Sequence, residues 1–166
     1  MGLRDRGLDG PTFRMREKLI AIGDDFWIED DQGHRLFKVN GKAARWRETF
    51  VLEDASGAEL CKIQEKKLTV RDKMTIEHGS THATVHKRLL GLRDHYVIEV
   101  EDGEDLKAHG NIVDHEYEIE RHGDTIARVS KKWFRVRDTY GVQLAEGQDV
   151  ALVLAITVCV DAMARD

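Results

Sequence analysis

The sequence predicts a single α+β domain, mainly β, in which six β-hairpin units precede one apolar C-terminal helix. Two observations lead to this prediction: a sequence phrase that recurs every 21 to 24 residues, and an apolar segment that follows Gly147. A short fixed period is typical of one supersecondary unit repeated along the chain. The 166 residues are also enough for one domain with a sizeable core.

The recurring phrase is a basic residue and an acid, then an aromatic residue or Met, an aliphatic residue two places on, and an acid or Gln. Four copies are complete, with the anchors Phe50, Met74, Tyr96 and Tyr140, and two weaker copies have the anchors Phe26 and Tyr117. Because side chains alternate along a strand, each anchor and the aliphatic residue two places on should face the same side. A Gly-bearing turn signal follows in most units, as in Asp31-Gln32-Gly33, so each unit is interpreted as a hairpin. The resulting twelve strands should roll up or stack, because an open sheet leaves unprotected edges.

The apolar segment from Asp149 to Met163 predicts a buried helix. Its apolar run is well short of the roughly 20 residues that cross a bilayer, and Asp149 is suited to the N-cap position. A helix that is apolar on every face must be surrounded by protein or lipid. About 15 residues at ~1.5 Å each would fill a barrel of short strands from end to end. The alternative is a thirteenth strand, since Val and Ile are mediocre helix formers.

The segment Arg137-Asp138-Thr139-Tyr140-Gly141-Val142, followed by Gln148-Asp149 and the apolar run, resembles the closing segment of the LURP-one-related proteins. These belong to the tubby C-terminal-like superfamily, which also includes phospholipid scramblases. Residues 15–19 and 114–119 are similar to bacterial members. The resemblance covers nearly the whole chain and implies a twelve-stranded antiparallel barrel around a central C-terminal helix. It also implies a link to lipids, since tubby domains bind phosphoinositides and scramblases act on membrane phospholipids with calcium.

Composition and cysteine content restrict the protein class. The domain is expected over residues 13–166, with strands over 13–147 and the helix over 149–163, and residues 1–12 are predicted to be a flexible segment without a signal peptide. The 26 Lys and Arg are interleaved with 31 acids for a net charge of −5, which argues against nucleic acid as the main partner. With Cys61 and Cys159 alone, the sequence predicts no disulfide framework and a cytoplasmic location, peripheral to the membrane if lipid is bound.

Three basic clusters are the predicted ligand-binding residues, and they form a cationic stripe if neighbouring units bring them together. They are Lys66, Lys67 and Arg71; Lys87 and Arg88; and Lys131, Lys132, Trp133, Arg135 and Arg137. Clusters of this kind attract anionic headgroups, and Trp133 is suited to a membrane interface or to stacking on a ligand. The alternative is structural, because each repeated Arg has an acid beside it and charges often pair between neighbouring strands.

No catalytic residue, metal ligand or cofactor is predicted. His78, His82 and His86 have the spacing of helical metal ligands, but a Gly-Ser turn divides them, which favours exposed hairpin histidines. No Ser or Cys stands in a recognisable nucleophile motif, and no Gly-rich phosphate loop opens a helix. In the segment that corresponds to the scramblase calcium site, the carboxylates are those of Asp138, Glu146 and Asp149.

The sequence therefore predicts a non-catalytic domain that binds an anionic ligand, such as a phospholipid or phosphoinositide headgroup. Two other functions stay open. One is a protein-interaction or scaffold domain that works through exposed strand faces, and the other is a scramblase-like lipid protein. The expected partners are accordingly an anionic membrane surface or another protein.

Overall fold

The computed structural model describes residues 8–16, 25–41, 43–44, 47–66, 73–90, 93–135 and 137–164. These residues form thirteen strands and one helix. The elements are β1 (Thr12–Arg16), β2 (Asp25–Asp30), β3 (Arg35–Asn40), β4 (Ala43–Ala44), β5 (Arg47–Asp54), β6 (Glu59–Lys66), β7 (Lys73–His78), β8 (Thr81–Leu90), β9 (Arg93–Val100), β10 (Leu106–Asn111), β11 (Glu116–Arg121), β12 (Asp124–Ser130), β13 (Thr139–Leu144) and α1 (Val150–Ala164).

Twelve of the strands form a closed antiparallel barrel, which confirms the predicted fold class. The strand order is β3-β2-β1-β13-β12-β11-β10-β9-β8-β7-β6-β5, and β3 also pairs with β5. The two-residue strand β4 pairs with β5 outside this circle. Closure removes the free strand edges that an open sheet of this width would expose.

Five of the repeated units are hairpins that turn at the predicted positions, namely β2–β3, β5–β6, β7–β8, β9–β10 and β11–β12. The sixth unit is completed differently. Its strand β13 pairs with the whole length of β1, which comes from the other end of the chain, so that Thr12 lies opposite Gln143 and Arg16 opposite Thr139. After Leu144 the chain turns into the barrel as α1, and the N-terminal strand takes the place of a following hairpin strand.

The anchors of the repeat face the barrel interior, as the alternation along each strand predicts. Five of them, all except Phe26, are at most 4% exposed, and Phe26 is half-buried. The aliphatic residues two places further on are also buried: Ile28, Leu52, Ile76, Ile98, Ile119 and Val142. The anchor and the aliphatic residue of each repeat are thus core-facing positions of one strand.

The helix α1 fills the inside of the barrel, which confirms the predicted central helix. Every residue from Ala151 to Asp161 is buried, and Ile156 is 0% exposed. Asp149 caps its start, because its Oδ1 accepts a hydrogen bond from the Leu152 amide at 3.2 Å. Among the described residues, no helix has both the length and the apolar character needed to cross a bilayer.

The first described residues are held against the end of β13. The Gly10 amide donates to the Leu144 carbonyl at 2.9 Å, and the Leu144 amide donates to the Pro11 carbonyl at 3.0 Å. Leu8 is buried as well. Of the segment 1–12 that was predicted to be flexible, residues 8–12 are therefore attached to the barrel, and residues 1–7 lie outside the described part.

The barrel has two chemically different ends. At the hairpin end lie residues 8–11 and the connections 31–34, 55–58, 79–80, 101–105, 122–123 and 145–149. At the opposite end, called the join end here, the chain passes from one hairpin to the next. The described connections at the join end are residues 112–115 and, apart from residue 136, 131–138. The helix starts at the hairpin end and finishes at the join end.

Candidate functional site

All the predicted basic residues that the structure describes lie at the join end. Lys66 is the last residue of β6, and Lys87 and Arg88 lie in the second half of β8. Lys131, Lys132, Trp133, Arg135 and Arg137 belong to the connection between β12 and β13, which we call the basic segment (residues 131–138). Lys67 and Arg71 are outside the described residues. Strands β9 to β11 stand between β8 and β12, so the basic residues of β8 and the basic segment share one end of the barrel without being adjacent.

The hairpin end carries the opposite charge. Its connections contain the carboxylates Asp9, Asp31, Glu101, Asp102, Glu104, Asp105, Glu146 and Asp149, and neither Lys nor Arg. The net charge of −5 is thus distributed unevenly along the barrel axis. An anion that approaches this protein meets its favourable potential at the join end.

Ion pairs between strands occur, and two of them join described cations outside the predicted clusters to acids. Arg14 pairs with Glu29 at 2.6 Å and Arg128 with Glu118 at 3.2 Å, each across neighbouring strands. Within the described part of the chain, Lys66, Arg88, Lys132, Arg135 and Arg137 take part in no ion pair, whereas Lys87 and Lys131 each have an interaction partner. The alternative interpretation, in which basic residues pair with acids on neighbouring strands, therefore holds for Arg14 and Arg128 on the strand faces. The binding role of the clusters stays a prediction.

The basic segment is fixed to the barrel at its start. One carboxylate oxygen, Glu116 Oε1, accepts hydrogen bonds from Ser130 Oγ and from the Lys131 amide, both at 3.0 Å. Ser130 Oγ in turn accepts a hydrogen bond from the Lys132 amide at 3.1 Å. Sequence reasoning missed Glu116, because the contact between the start of β11 and the end of β12 depends on strand register.

Trp133 packs against the last strand. A Cβ atom added to Gly141 of β13 would come within 2.5 Å of Trp133 Cε3 and 2.9 Å of Phe134 Cε2. The indole nevertheless remains 39% exposed. Phe134 is itself contacted by the guanidinium of Arg14, 5.7 Å from the ring centroid. Gly141 thus gives both rings room to rest on the barrel wall.

A groove of about 470 Å³ runs beside Trp133 on the outer wall of the barrel. It is lined by His109, Gly110, Glu116, Tyr117, Glu118, Arg128, Val129, Ser130 and Trp133. Both signs of charge face it, together with one aromatic wall. Of the lining residues, Trp133 is the one that the sequence predicted to bind a ligand, whereas Tyr117 was predicted as a core anchor of the repeat.

Comparison with known proteins agrees with this architecture. The sequence profile of the LURP-one-related family matches residues 11–161. The chain belongs to the LURP-one-related family. An X-ray structure of a protein from Arabidopsis thaliana is similar to this LURP-one-related barrel with a TM-score of 0.67 and 17% identity, over 99% of this chain and 98% of that chain. Among curated proteins, none matches the chain significantly.

The carboxylates that correspond to the scramblase calcium segment do not come together in this LURP-one-related chain. Asp138 precedes β13 at the join end, whereas Glu146 and Asp149 follow it at the hairpin end. A six-residue strand separates them by roughly 20 Å. Asp149 is already engaged as the helix cap and through Oδ2, 3.1 Å from His78 Nε2.

The three histidines with helical spacing lie on the β7–β8 hairpin, as predicted. The expected exposure holds for His82, whereas the side chains of His78 and His86 are 23% and 16% exposed. His78 contacts the Leu60 carbonyl at 2.8 Å in addition to Asp149, and His86 lies 3.4 Å from Glu99. They do not converge on a common point. Within the described residues, the one group of three potential metal ligands is formed by His109, Glu118 and Glu120.

A buried polar centre lies between the join end of α1 and the barrel wall. His115 stacks on Tyr140 with ring centroids 4.2 Å apart, and its Nε2 lies 3.6 Å from Asp161 Oδ1. The Tyr140 hydroxyl donates a hydrogen bond to Asp161 Oδ2 at 3.4 Å. Sequence reasoning missed this centre because Asp161 seemed only to end the apolar run. The contacts connect the last turns of α1 with β13 and with the β10–β11 connection.

The two thiols of the protein are also buried. Desolvation raises the pKa of Cys61 to about 12, and the nearby Asp149 charge acts in the same direction. Burial likewise raises the pKa of Cys159 far above its usual range. Neither residue supplies a thiolate at neutral pH, so neither has the character of a catalytic nucleophile or a thiolate ligand.

Proposed function

We propose that this LURP-one-related barrel is a non-catalytic binding domain that takes an anionic phospholipid headgroup on its join end. The ligand would contact the basic segment first, and Lys66, Lys87 and Arg88 would add positive charge from other strands at the same end of the barrel. The predicted cytoplasmic location goes with this proposal, with the protein peripheral to the membrane. It is supported by the absence of a disulfide between Cys61 and Cys159, both of which are free and buried.

One observation carries the proposal: exposed apolar side chains and exposed cations occur together at the same end of the barrel. Among the described residues, the large hydrophobic side chains that are exposed are Val113, at 74%, and Trp133, at 39%. Both belong to join-end connections, and the Glu116 hydrogen bonds tie these connections together. A surface with apolar tips surrounded by Lys and Arg suits the boundary between headgroups and acyl chains.

Contacts with the barrel also hold the proposed contact surface in place. Trp133 rests on Gly141, and the start of the basic segment is fixed to the Glu116 carboxylate. A pre-ordered contact surface loses less conformational entropy when a ligand binds. The acidic hairpin end would face away from an anionic membrane, which favours one orientation of the barrel.

The test is flotation of the purified protein with vesicles of neutral phosphatidylcholine alone and with added phosphatidylserine or phosphoinositide, at low and high salt. We expect binding to the anionic vesicles alone, weakened by salt. Each Lys or Arg near an anionic surface contributes about 1 kcal/mol. The affinity of the double variant K132E/R135E should therefore be lower on the order of 30-fold.

The matched control is K62E/K107E, which changes the net charge by the same amount with two exposed lysines that lie outside the basic segment. It should bind almost as well as the wild type. Equal losses in both double variants would indicate a simple net-charge effect and would contradict the proposed site. Absence of flotation under every condition, with and without calcium, would overturn the lipid proposal and favour a protein partner.

A further inference from the structure

We propose that His109, Glu118 and Glu120 form a binding site for a divalent transition-metal ion of the zinc class on the outer wall of the barrel. One potential ligand atom from each of these side chains lies within 4.8 Å of the other two. The site is independent of the proposed lipid surface, because it uses none of the basic residues at the join end.

The strand register places the three side chains on one face. His109 of β10 lies directly opposite Glu118 of β11, and Glu120 is two residues further along the same strand. Their inward-facing neighbours Ala108 and Ile119 are 0% exposed, so the three ligands point outward. Opposite residues in neighbouring strands have Cβ atoms about 5 Å apart, which suits two ligands of one ion. Two ordered strands therefore position the set.

The closest pair is already in hydrogen-bond contact at the place where an ion would bind. His109 Nε2 and Glu120 Oε1 are 2.5 Å apart. A metal ion bound by both groups would take the place of this hydrogen bond. Ligand atoms around a tetrahedral zinc ion are roughly 3.5 Å apart. The observed separations, 2.5 Å for the closest pair and at most 4.8 Å within the set, lie on both sides of this spacing.

The third ligand is oriented by groups behind it. Glu118 Oε2 accepts a hydrogen bond from Thr125 Oγ1 at 3.3 Å. Arg128 Nε lies 3.2 Å from Glu118 Oε1 but forms no hydrogen bond to it. A carboxylate held by such partners has less freedom to lose when it binds a metal.

The charges around the site determine the affinity for a metal ion that we expect. Arg128 balances one of the two carboxylates, and Lys107 stands opposite Glu120 in the register. Arg128 and Lys107 repel a bound metal ion. We therefore expect a metal affinity on the order of micromolar, weaker than that of structural zinc sites.

The donor set selects the class of ion. Imidazole together with carboxylate suits zinc or cobalt, whereas calcium and magnesium prefer oxygen ligands alone. Three protein ligands leave an open coordination position for water. His109 and Glu118 also line the groove beside Trp133, so this position is accessible from solvent.

The test is calorimetric titration of the full-length protein with zinc chloride, with the visible spectrum of added cobalt as a second measurement. We expect one ion per chain for the wild type. His109→Ala and Glu120→Gln should each weaken binding on the order of 100-fold or more. Glu120→Gln nearly preserves side-chain volume, so it tests the site even if His109→Ala perturbs folding. Circular dichroism of each variant checks the fold.

The matched control is His86→Ala. His86 lies 3.4 Å from Glu99 on the neighbouring strand, and the described residues place no second carboxylate with this pair. The zinc affinity of this control should equal that of the wild type. A wild type that binds no zinc or cobalt would overturn the proposal. So would zinc binding that the site variants leave unchanged, or that His86→Ala weakens equally.

Discussion

Gly141 and Trp133 are in direct contact across the join between the last strand and the basic segment. A methyl group at position 141 would lie 2.5 Å from Trp133 Cε3, inside the distance that carbon atoms tolerate. Gly141 does not have a left-handed backbone conformation. The glycine is therefore required by the space that the indole occupies, and its role is to let the aromatic ring lie on the barrel wall.

Gly141→Ala should destabilise the protein by about 1–3 kcal/mol, since the added methyl group forces the indole and the Phe134 ring to move. Denaturant unfolding of Gly141→Ala, Trp133→Ala and the double variant measures the coupling between the two positions. In the Trp133→Ala background the glycine substitution should cost clearly less. An equal cost in both backgrounds would contradict the contact as the reason for glycine.

Ile156→Asp tests the helix as the core of the barrel. Ile156 is 0% exposed and α1 is surrounded by strands, so an unpaired carboxylate there should cost several kcal/mol. That loss is comparable with the whole stability of an ordinary domain. Thermal melting followed by circular dichroism should show a large decrease in Tm or no folded protein at all.

The control for this substitution is Ile156→Val, which removes one buried methylene and should cost about 0.5–1.5 kcal/mol. Melting of Ile156→Asp close to that of Ile156→Val would mean that the helix leaves the barrel easily. In that case α1 would be a candidate for membrane or partner contact.

Much of the fold could be predicted because its signals are local. The period-two placement of Met74 and Ile76, repeated in each unit, fixes which face of a strand is buried. The turn residues fix where each hairpin reverses. The apolar character of α1 on every face requires that it be enclosed. Each of these inferences needs only a few neighbouring residues.

The candidate site was predictable in part. The composition of the basic segment and Trp133 could be recognised in the sequence, but its supports could not. Glu116 and Gly141 act through strand register and through the pairing of β1 with β13, which brings together residues from opposite ends of the chain. Such contacts leave no local pattern. Likewise, His109 and Glu118 become neighbours only when β10 pairs with β11.

Two hairpin turns each begin with an Asp whose carboxylate should make the stability of the protein depend on pH. Asp30 accepts hydrogen bonds from the Gln32 and His34 amides, and Asp54 accepts them from the Ser56 and Ala58 amides. The backbone hydrogen bond from His34 is the main cause that lowers the pKa of Asp30. For Asp54 the Ser56 hydroxyl is the main cause.

Asp54→Asn should remove this pH dependence while keeping an oxygen that can accept the amide hydrogen bonds. A lowered pKa in the folded state means that the contribution is fully present above the ordinary pKa of 3.8 and is lost as the pH falls through the folded value. Urea unfolding as a function of pH should therefore show a wild-type advantage that shrinks in acid.

Asp31→Asn is the control for the change of charge, because none of the described hydrogen bonds of the turn at residues 30–34 uses the Asp31 carboxylate. The wild-type advantage over this control should shrink less in acid than the advantage over Asp54→Asn. If the advantage of Asp54 over Asn persists unchanged far below pH 3.8, the assignment of the shift to this turn is wrong.

The two buried thiols should report when the barrel opens. Because burial raises the pKa of Cys61 to about 12 and also raises that of Cys159, a thiol reagent should label neither in the native protein at about pH 8. Both should react in guanidinium chloride. An added surface thiol, Ala55→Cys in an exposed turn, should react at once and serves as the positive control.

The labelling rate of Cys159 separates two kinds of motion. If α1 is released only when strands separate, the rate should rise with denaturant as steeply as global unfolding does. Mass spectrometry of the labelled chain identifies which thiol has reacted. Fast native labelling of Cys159 would show that the helix leaves the barrel without unfolding it, and a weak response of Ile156→Asp should accompany that result.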